Sequence, residues 1–329
     1  EKVLFKGGLA MNQPNPRVIA EKMIRNIGLV LVGKEEAVEL SLVALGCEGH
    51  LLVEDVPGVG KTMLARSLAC SLGLSFSRIQ CTPDLLPSDI TGVSVFNPQK
   101  GSFSFRRGPV MANIVLVDEI NRATPRTQSG LLEVMGERQV TVDGQTYPLS
   151  SPFMVIATNN PIEFEGTFPL PEAQLDRFLM RISLGYPSSD QETAILSRME
   201  KEHPIGKITQ VVSPEEITGL IQAAKEVFVE DSLRAYIVEL VNGPRRHPCL
   251  ELGASPRGSI ALFQASRVLA VLRGRNFVLP EDIKYLAPFV LAHRLVLTTE
   301  AFARGEKSSS VLQEILASTP VPTEEALHG

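Results

Sequence analysis

A basic surplus is missing from this chain. Thirty-seven acidic residues stand against 32 lysines and arginines, for a formal net charge of −5. No global positive field draws it to nucleic acid or to an anionic membrane, although a local basic groove stays open. Cysteine is scarce: Cys47, Cys70, Cys81 and Cys249, with no C-x-x-C pair. Cys47 and Cys70 fall in apolar, helix-like stretches, so buried free thiols in a reducing, cytoplasmic compartment are expected rather than a zinc site. No apolar run reaches the roughly eighteen residues that a membrane span needs, so no membrane insertion is expected. The opening EKVLFKGGLA, before Met11, has neither the apolar region nor the cleavage pattern of a secretory signal. Residues 1–15 are expected to be a leader, disordered or cloning-derived, outside the fold. Tandem repeats and low-complexity tracts are absent, and so is an N-K-x-D signature for guanine.

What is present suffices for a core: 329 residues, 44% of them hydrophobic, enough for one large domain or two smaller ones. From Pro16 to Cys47 apolar residues recur at three- and four-residue steps, as in helices. Then short apolar strands alternate with helices: Leu51–Val53, Ser75–Ile79, Ile114–Val117, Phe153–Ala157 and Leu179–Leu184. That alternation predicts an α/β domain with a mostly parallel sheet. Two hairpins interrupt it, one turning at Asn97–Gly101 and one at Asp143-Gly144, a type I′ signal. Phe103 and Phe105 share a face of the first. After Pro187 the texture changes. Ser189 to Glu192 and Ser213 to Glu216 have capping-box spacing, and no convincing strand is seen from there to Leu297. The expected division is residues 16–186, an α/β nucleotide-binding domain, and residues 187–329, a smaller all-helical domain whose tail after Thr298, rich in small and polar residues, frays at its end.

The chemistry concentrates in a few strand ends. Asp55 to Thr62 reads D-V-P-G-V-G-K-T, the phosphate-loop pattern G-x-x-x-x-G-K-[ST] with Asp55 in place of its first glycine. Gly58 and Gly60 let backbone N–H groups curl round an anion at the start of a helix. Pro57, Gly58, Val59, Gly60, Lys61, Thr62 and Met63 are the candidate nucleotide-binding residues, with Lys61 for the β- and γ-phosphates and Thr62 for Mg²⁺. If the first glycine needed a positive φ, aspartate tolerates that better than most residues. Its charge must then point away from the phosphates. NIVLVDEIN ends a buried strand in Asp118 and Glu119. Alone the pair reads as a solvated turn; downstream of a phosphate loop Asp118 reads as a metal carboxylate and Glu119 as the base that activates water. FMVIATNNP ends another strand in Asn159 and Asn160, either a turn before Pro161 or an amide near the γ-phosphate. Arg177 follows a short helical stretch, and Arg257 lies in the first turn of a helix, where its charge opposes the dipole and hints at an anionic partner.

GVGKT, VDEINRA, ATNNP, PLPEAQLDRF and GASPRG, in this order, resemble the AAA+ ATPases, specifically the MoxR group, and TPDLLPSDITG and GERQVTV strengthen the likeness. It runs from about Pro16 to about Leu297. The resemblance implies a P-loop NTPase sheet domain with a helical lid, ATP and Mg²⁺ as cofactors, and an oligomeric ring, most often a hexamer. Lys61 and Thr62 would be the Walker A pair, Asp118 and Glu119 Walker B, and Asn160 the sensor-1 amide. Arg177 would be the arginine finger acting on a neighbour's ATP. Arg257 would be sensor 2, reaching ATP within its own chain. Asn159 stands where the group usually has glutamine, Gly130 where it has alanine and Gly136 where it has glutamine; neither glycine is expected to touch the chemistry. The implied function is an ATPase that remodels, assembles or matures a partner protein, often one with a von Willebrand A domain, in metal or cofactor insertion. Alternatives are a nucleotide-gated scaffold with little hydrolysis, which only Asp55 favours, a magnesium-chelatase-like subunit, and a nucleic-acid motor. No nucleic-acid partner is expected, given the acidic balance and the shortness of the basic patch at Arg106-Arg107.

Overall fold

Three strands of the sheet divide their side chains between two cores. Leu51 and Val53, Ile114 and Leu116, and Met154 and Ile156 enter one core, while Leu52, Val115, Val117, Val155 and Ala157 enter the other. Successive strand residues point to opposite faces, and both faces are covered, so these strands read as continuous apolar runs. The computed structural model describes residues 15–99, 101–160, 166–199 and 204–322.

Two helices, α1 (Pro16–Ile27) and α2 (Glu35–Gly46), precede β1 (Leu51–Glu54). The Asn15 side chain caps α1 by accepting from Arg17 N at 3.0 Å, so this residue of the expected leader belongs to the fold; residues 1–14 lie outside the described residues. Then follow α3 (Lys61–Leu72), β2 (Phe76–Gln80), α4 (Pro87–Thr91) and the hairpin β3–β4 (Gly92–Asn97, Ser102–Arg107). After β5 (Ile114–Asp118) come α5 (Pro125–Glu137), the hairpin β6–β7 (Gln139–Val142, Gln145–Pro148), β8 (Met154–Asn159), α6 (Glu172–Leu175) and β9 (Met180–Ile182). The sheet order is β2-β5-β8-β1-β9, parallel at every pairing. Both expected hairpins are present. Asp143 and Gly144 both take positive φ, 50° and 76°, as a type I′ turn requires. Phe105 of the first hairpin stacks on Tyr147 of the second, ring centroids 4.1 Å apart.

Beyond Pro187 lie α7 (Ser189–Met199), α8 (Pro214–Lys225), α9 (Asp231–Asn242), β10 (Leu250–Leu252), α10 (Pro256–Leu272), α11 (Pro280–Leu291), β11 (Val296–Leu297), α12 (Thr299–Ala303) and α13 (Ser308–Ser318). The sequence reading of this part needs two corrections. β10 and β11 form a short antiparallel ribbon, too brief to show alternation, so the lid is helical with one small sheet added. The box at the start of α7 is Ser188 with Gln191, not Ser189 with Glu192: Ser188 N donates to Gln191 Oε1 at 3.0 Å and Gln191 N to Ser188 Oγ at 3.3 Å. The tail after Thr298 carries two helices, and α13 buries Val311, Leu312 and Ile315; its end, residues 323–329, where fraying was expected, lies outside the described residues. The box at Ser213 and Glu216 forms as expected.

His50 joins the layers. It is 5% exposed and accepts from Val155 N of β8 at 3.0 Å through Nδ1, with Nε2 3.1 Å from Met135 O of α5. That pair of partners fits the neutral Nε2–H tautomer. Burial, with a smaller push from Arg138, lowers its pKa to about 4 despite the Met135 contact. Of the cysteines, Cys81 is buried and the other three only half-buried.

Candidate active site

Because β8 lies between β1 and β5, the carboxyl ends of all three open onto one crevice, where open α/β sheets bind ligands. Gly58 and Gly60 take φ of 84° and 103°, which an L side chain resists, and α3 starts directly at Lys61. A cavity of about 350 Å³ opens there, lined by Pro57, Gly58, Gly60, Lys61, Thr62, Met63, Arg78, Asp118, Glu119 and Asn160. Loop, lysine, hydroxyl, two carboxylates and one amide thus meet in a single space. Val59 lines the adjoining apolar cavity instead.

The carboxylates are held in place before any ligand arrives. Asp118 accepts from Thr158 Oγ1 at 2.7 Å and pairs with Arg78 Nη2 at 2.6 Å. Glu119 accepts from Gln80 Nε2 and from Arg122 Nη1, both at 3.1 Å, and its N–H donates to Thr158 Oγ1 at 2.8 Å. Its backbone is left-handed, φ 55° and ψ 54°, a conformation non-glycine residues seldom take outside constrained sites. The two asparagines separate: Asn159 Nδ2 donates to Glu54 Oε1 at 3.1 Å, away from the cavity, while Asn160, 4% exposed, lines it.

Asp55 does not need the positive φ that glycine would supply, for it is not among the residues with left-handed backbone. Its carboxylate turns away from the cavity as expected, towards the chain leaving β9. Burial alone would raise its pKa, but bonds from Gly185 N, Ser183 Oγ, Leu184 N and Val56 N hold it below the usual carboxylate range. Its carbonyl accepts from Lys61 Nζ at 2.7 Å.

Arg177 and Arg257 do not line the phosphate-loop cavity. Arg177 Nη1 donates to Leu132 O of α5 at 2.7 Å. Arg257 sits 3.9 Å from Asp176, a carboxylate that also accepts from Ser255 Oγ at 2.9 Å and from Arg294 Nε at 2.8 Å. Arg257 thus lies beside the residue preceding Arg177 and outside the phosphate-loop cavity of its own chain. Gly136 lies against Arg177. A Cβ there would come within 2.9 Å of Arg177 Nη1, so this glycine makes room for the arginine. At Gly130 a Cβ would meet only Pro87, at 3.4 Å.

Sequence reasoning missed Arg78 and the apolar cavity beside the loop. Arg78 and Gln80 alternate on β2 around buried Ile79, so both side chains stand on the crevice side; that period-two pattern was the available signal. The second cavity, about 240 Å³, is lined by Val30, Leu31, Val32, Val59, Met63, Pro187, Ile195 and Met199, among others. Its size and apolar walls suit a flat heterocycle next to the phosphate loop.

Comparison with known proteins accords with this geometry. The model of the "ATPase family associated with various cellular activities (AAA)" matches residues 50–180, and that of the AAA lid domain matches residues 243–315. Chaperone MoxR1 of Mycobacterium tuberculosis is 43% identical, covering 92% of this chain and 82% of its own. The chain belongs to the MoxR family of AAA+ ATPases. The uncharacterized protein YeaC of Bacillus subtilis is 52% identical over 92% of this chain and 95% of its own. The solved structure of a Cytophaga hutchinsonii protein described as an ATPase superposes with a TM-score of 0.86 at 38% identity, covering 94% of this MoxR-family chain and 96% of that one. Among the described residues, no helix is long and apolar enough to cross a membrane.

Proposed function

We propose that this chain binds ATP with Mg²⁺ and hydrolyses it in a ring of its own copies, most simply a hexamer, using the cycle to remodel, assemble or mature a partner protein. The observation that carries this reading is the gathering of Lys61, Thr62, Asp118, Glu119 and Asn160 round one cavity while Arg177 and Arg257 stay outside it. The pocket supplies a cradle, metal donors, a base and a polar amide, but lacks the external cation of such sites. Thr62 and Asp118 are hard oxygen donors of the kind Mg²⁺ prefers, and they would hold it; bound there, it offsets charge on the β- and γ-phosphates. Lys61 leaves the Asp55 carbonyl for the phosphates. Glu119 takes a proton from water oriented by Asn160. The neighbour's Arg177 and Arg257, set by Leu132 and Asp176, meet the γ-phosphate from outside.

Asp55 no longer favours a scaffold without hydrolysis, since its charge is spent on the post-β9 turn and not on the phosphates. Residues 16–186 and 187–329 serve as the nucleotide domain and the lid. A von Willebrand A domain protein is the kind of client proposed, with metal or cofactor insertion as one task, in the cytoplasm. The experiment is phosphate release measured against protein concentration, beside direct ATP binding. Turnover per chain that climbs with assembly supports the reading; turnover independent of assembly removes it. A pull-down with Glu119→Gln and ATP then identifies the client.

A further inference from the structure

Asp55 stands where the phosphate loop departs from its pattern, and its side chain is the one that leaves the loop. One carboxylate oxygen accepts from Leu184 N at 2.6 Å, Gly185 N at 2.7 Å and Ser183 Oγ at 3.0 Å. An overlapping reach of chain, one residue further on, is gripped by Lys34, whose Nζ donates to Leu184 O at 2.6 Å, Gly185 O at 3.1 Å and Tyr186 O at 3.3 Å. This segment leads straight into Pro187 and α7, and so into the wall of the apolar cavity at Pro187, Ile195 and Met199.

α7 has no buried residue of its own. Hydrophobic packing therefore does little to fix it, unlike α10, which buries ten residues including Leu262, Leu269 and Leu272. Its ties are polar and lie near its ends. Asp55 and Lys34 act ahead of its start, and near its finish Arg198 Nη1 donates to Gly28 O at 2.5 Å and Leu29 O at 3.0 Å. Asp55 also touches the phosphate side, because its carbonyl accepts from Lys61. A glycine at this position could do the second task but not the first.

We propose that Asp55 is a positioning residue that ties the phosphate loop to the segment entering α7, so that filling the phosphate cavity fixes the apolar wall that would face the base. The inference rests on the reading that the loop holds a nucleotide. When Lys61 moves to the phosphates it releases the Asp55 carbonyl, and the change at that residue passes through its carboxylate to Leu184 and Gly185. Phosphate binding is then felt at the wall that would face the base, and α7 is set as the phosphates bind.

Amide hydrogen exchange on the full chain, with and without ATP and Mg²⁺, tests this at residues 58–65 and 188–199. In the wild type ATP slows exchange in both stretches. Asp55→Gly keeps the slowing at 58–65 and loses about tenfold of it at 188–199, the scale of one charge-assisted hydrogen bond. Ser183→Ala, which removes one donor and leaves the loop intact, shows a smaller loss and guards against a folding defect. Full slowing of 188–199 in both variants, even with a lowered Tm, overturns the proposal, because Asp55 is then only structural. Wild-type slowing confined to 58–65 also overturns it while sparing the nucleotide reading. No slowing at 58–65 removes that reading and this proposal with it.

Discussion

At the crevice above β1, β8 and β5 the charges are matched inside one chain. Arg78 answers Asp118, Arg122 answers Glu119, and Lys61 rests on a carbonyl. Around Asp176 the arrangement differs: Arg257 and Arg294 draw on that one carboxylate, and the Arg177 guanidinium beside it donates to Leu132 O. Arg294 is buried with its bonds satisfied by Asp176 and by the carbonyls of Phe178 and Leu179, so it is a structural tie between sheet and lid. Arg257 keeps 60% of its side chain exposed. The first region is a receptacle, and the second presents cations outward on a fixed base. A ring in which one copy's second region meets the next copy's first would bring the parts together.

The largest effect that can break this contrast is expected from Arg177→Ala. Assembled protein should lose roughly 10³–10⁵ in turnover while each chain still binds ATP. Phosphate release at a concentration where wild-type turnover has levelled off checks it, and unchanged turnover would remove the second region from the chemistry. Glu119→Gln should lower turnover by about 10²–10⁴ and leave fluorescent-nucleotide binding intact, placing the chemistry in the first region.

Gly136→Ala sharpens the contrast because its two consequences have opposite signs. The added methyl displaces the Arg177 guanidinium, and misplacing a reacting group by an ångström costs up to about 10²; a fall near tenfold in turnover is expected. Yet alanine in place of glycine favours α5 by up to about 1 kcal/mol, so Tm should hold or rise. A parallel fall in both would mean the helix, not the arginine, is disturbed.

The smallest effect on turnover at neutral pH comes from His50→Gln, at the seam between the regions, since His50 bonds α5 and β8. Its folded pKa lies near 4 against about 6.5 unfolded. Between those values the unfolded chain binds the extra proton, so His50 costs stability as pH falls from 6.5 to 4, on the order of 3 kcal/mol in all. Denaturant unfolding across that window should show a shallower pH slope in the variant.

The sheet was legible because both its faces are buried, and each of the five strands appeared within about two residues of its place. Phosphate loop, Asp118 and Glu119 were legible because strand, turn and helix carry them in one continuous stretch. Two neighbouring asparagines gave no such help: register puts Asn159 opposite Glu54 and leaves Asn160 for the cavity, and register is a property of the sheet. The apolar cavity is assembled from Val30, Val59 and Ile195, three segments with no local pattern in common. Arg257 reads as a helix-start cation from sequence; only packing shows that Asp176 is what it faces. Gly136 was expected to stand clear of the chemistry, since nothing in its local sequence shows a guanidinium lying against the helix.

Glu119 is held in a left-handed backbone that a glycine would accept without strain. Replacing it by glycine should relax the turn after β5 and remove the carboxylate at once, giving a chain that is more comfortable and less able. The fold tolerates local discomfort at this position so that a side chain can stand at the mouth of the crevice.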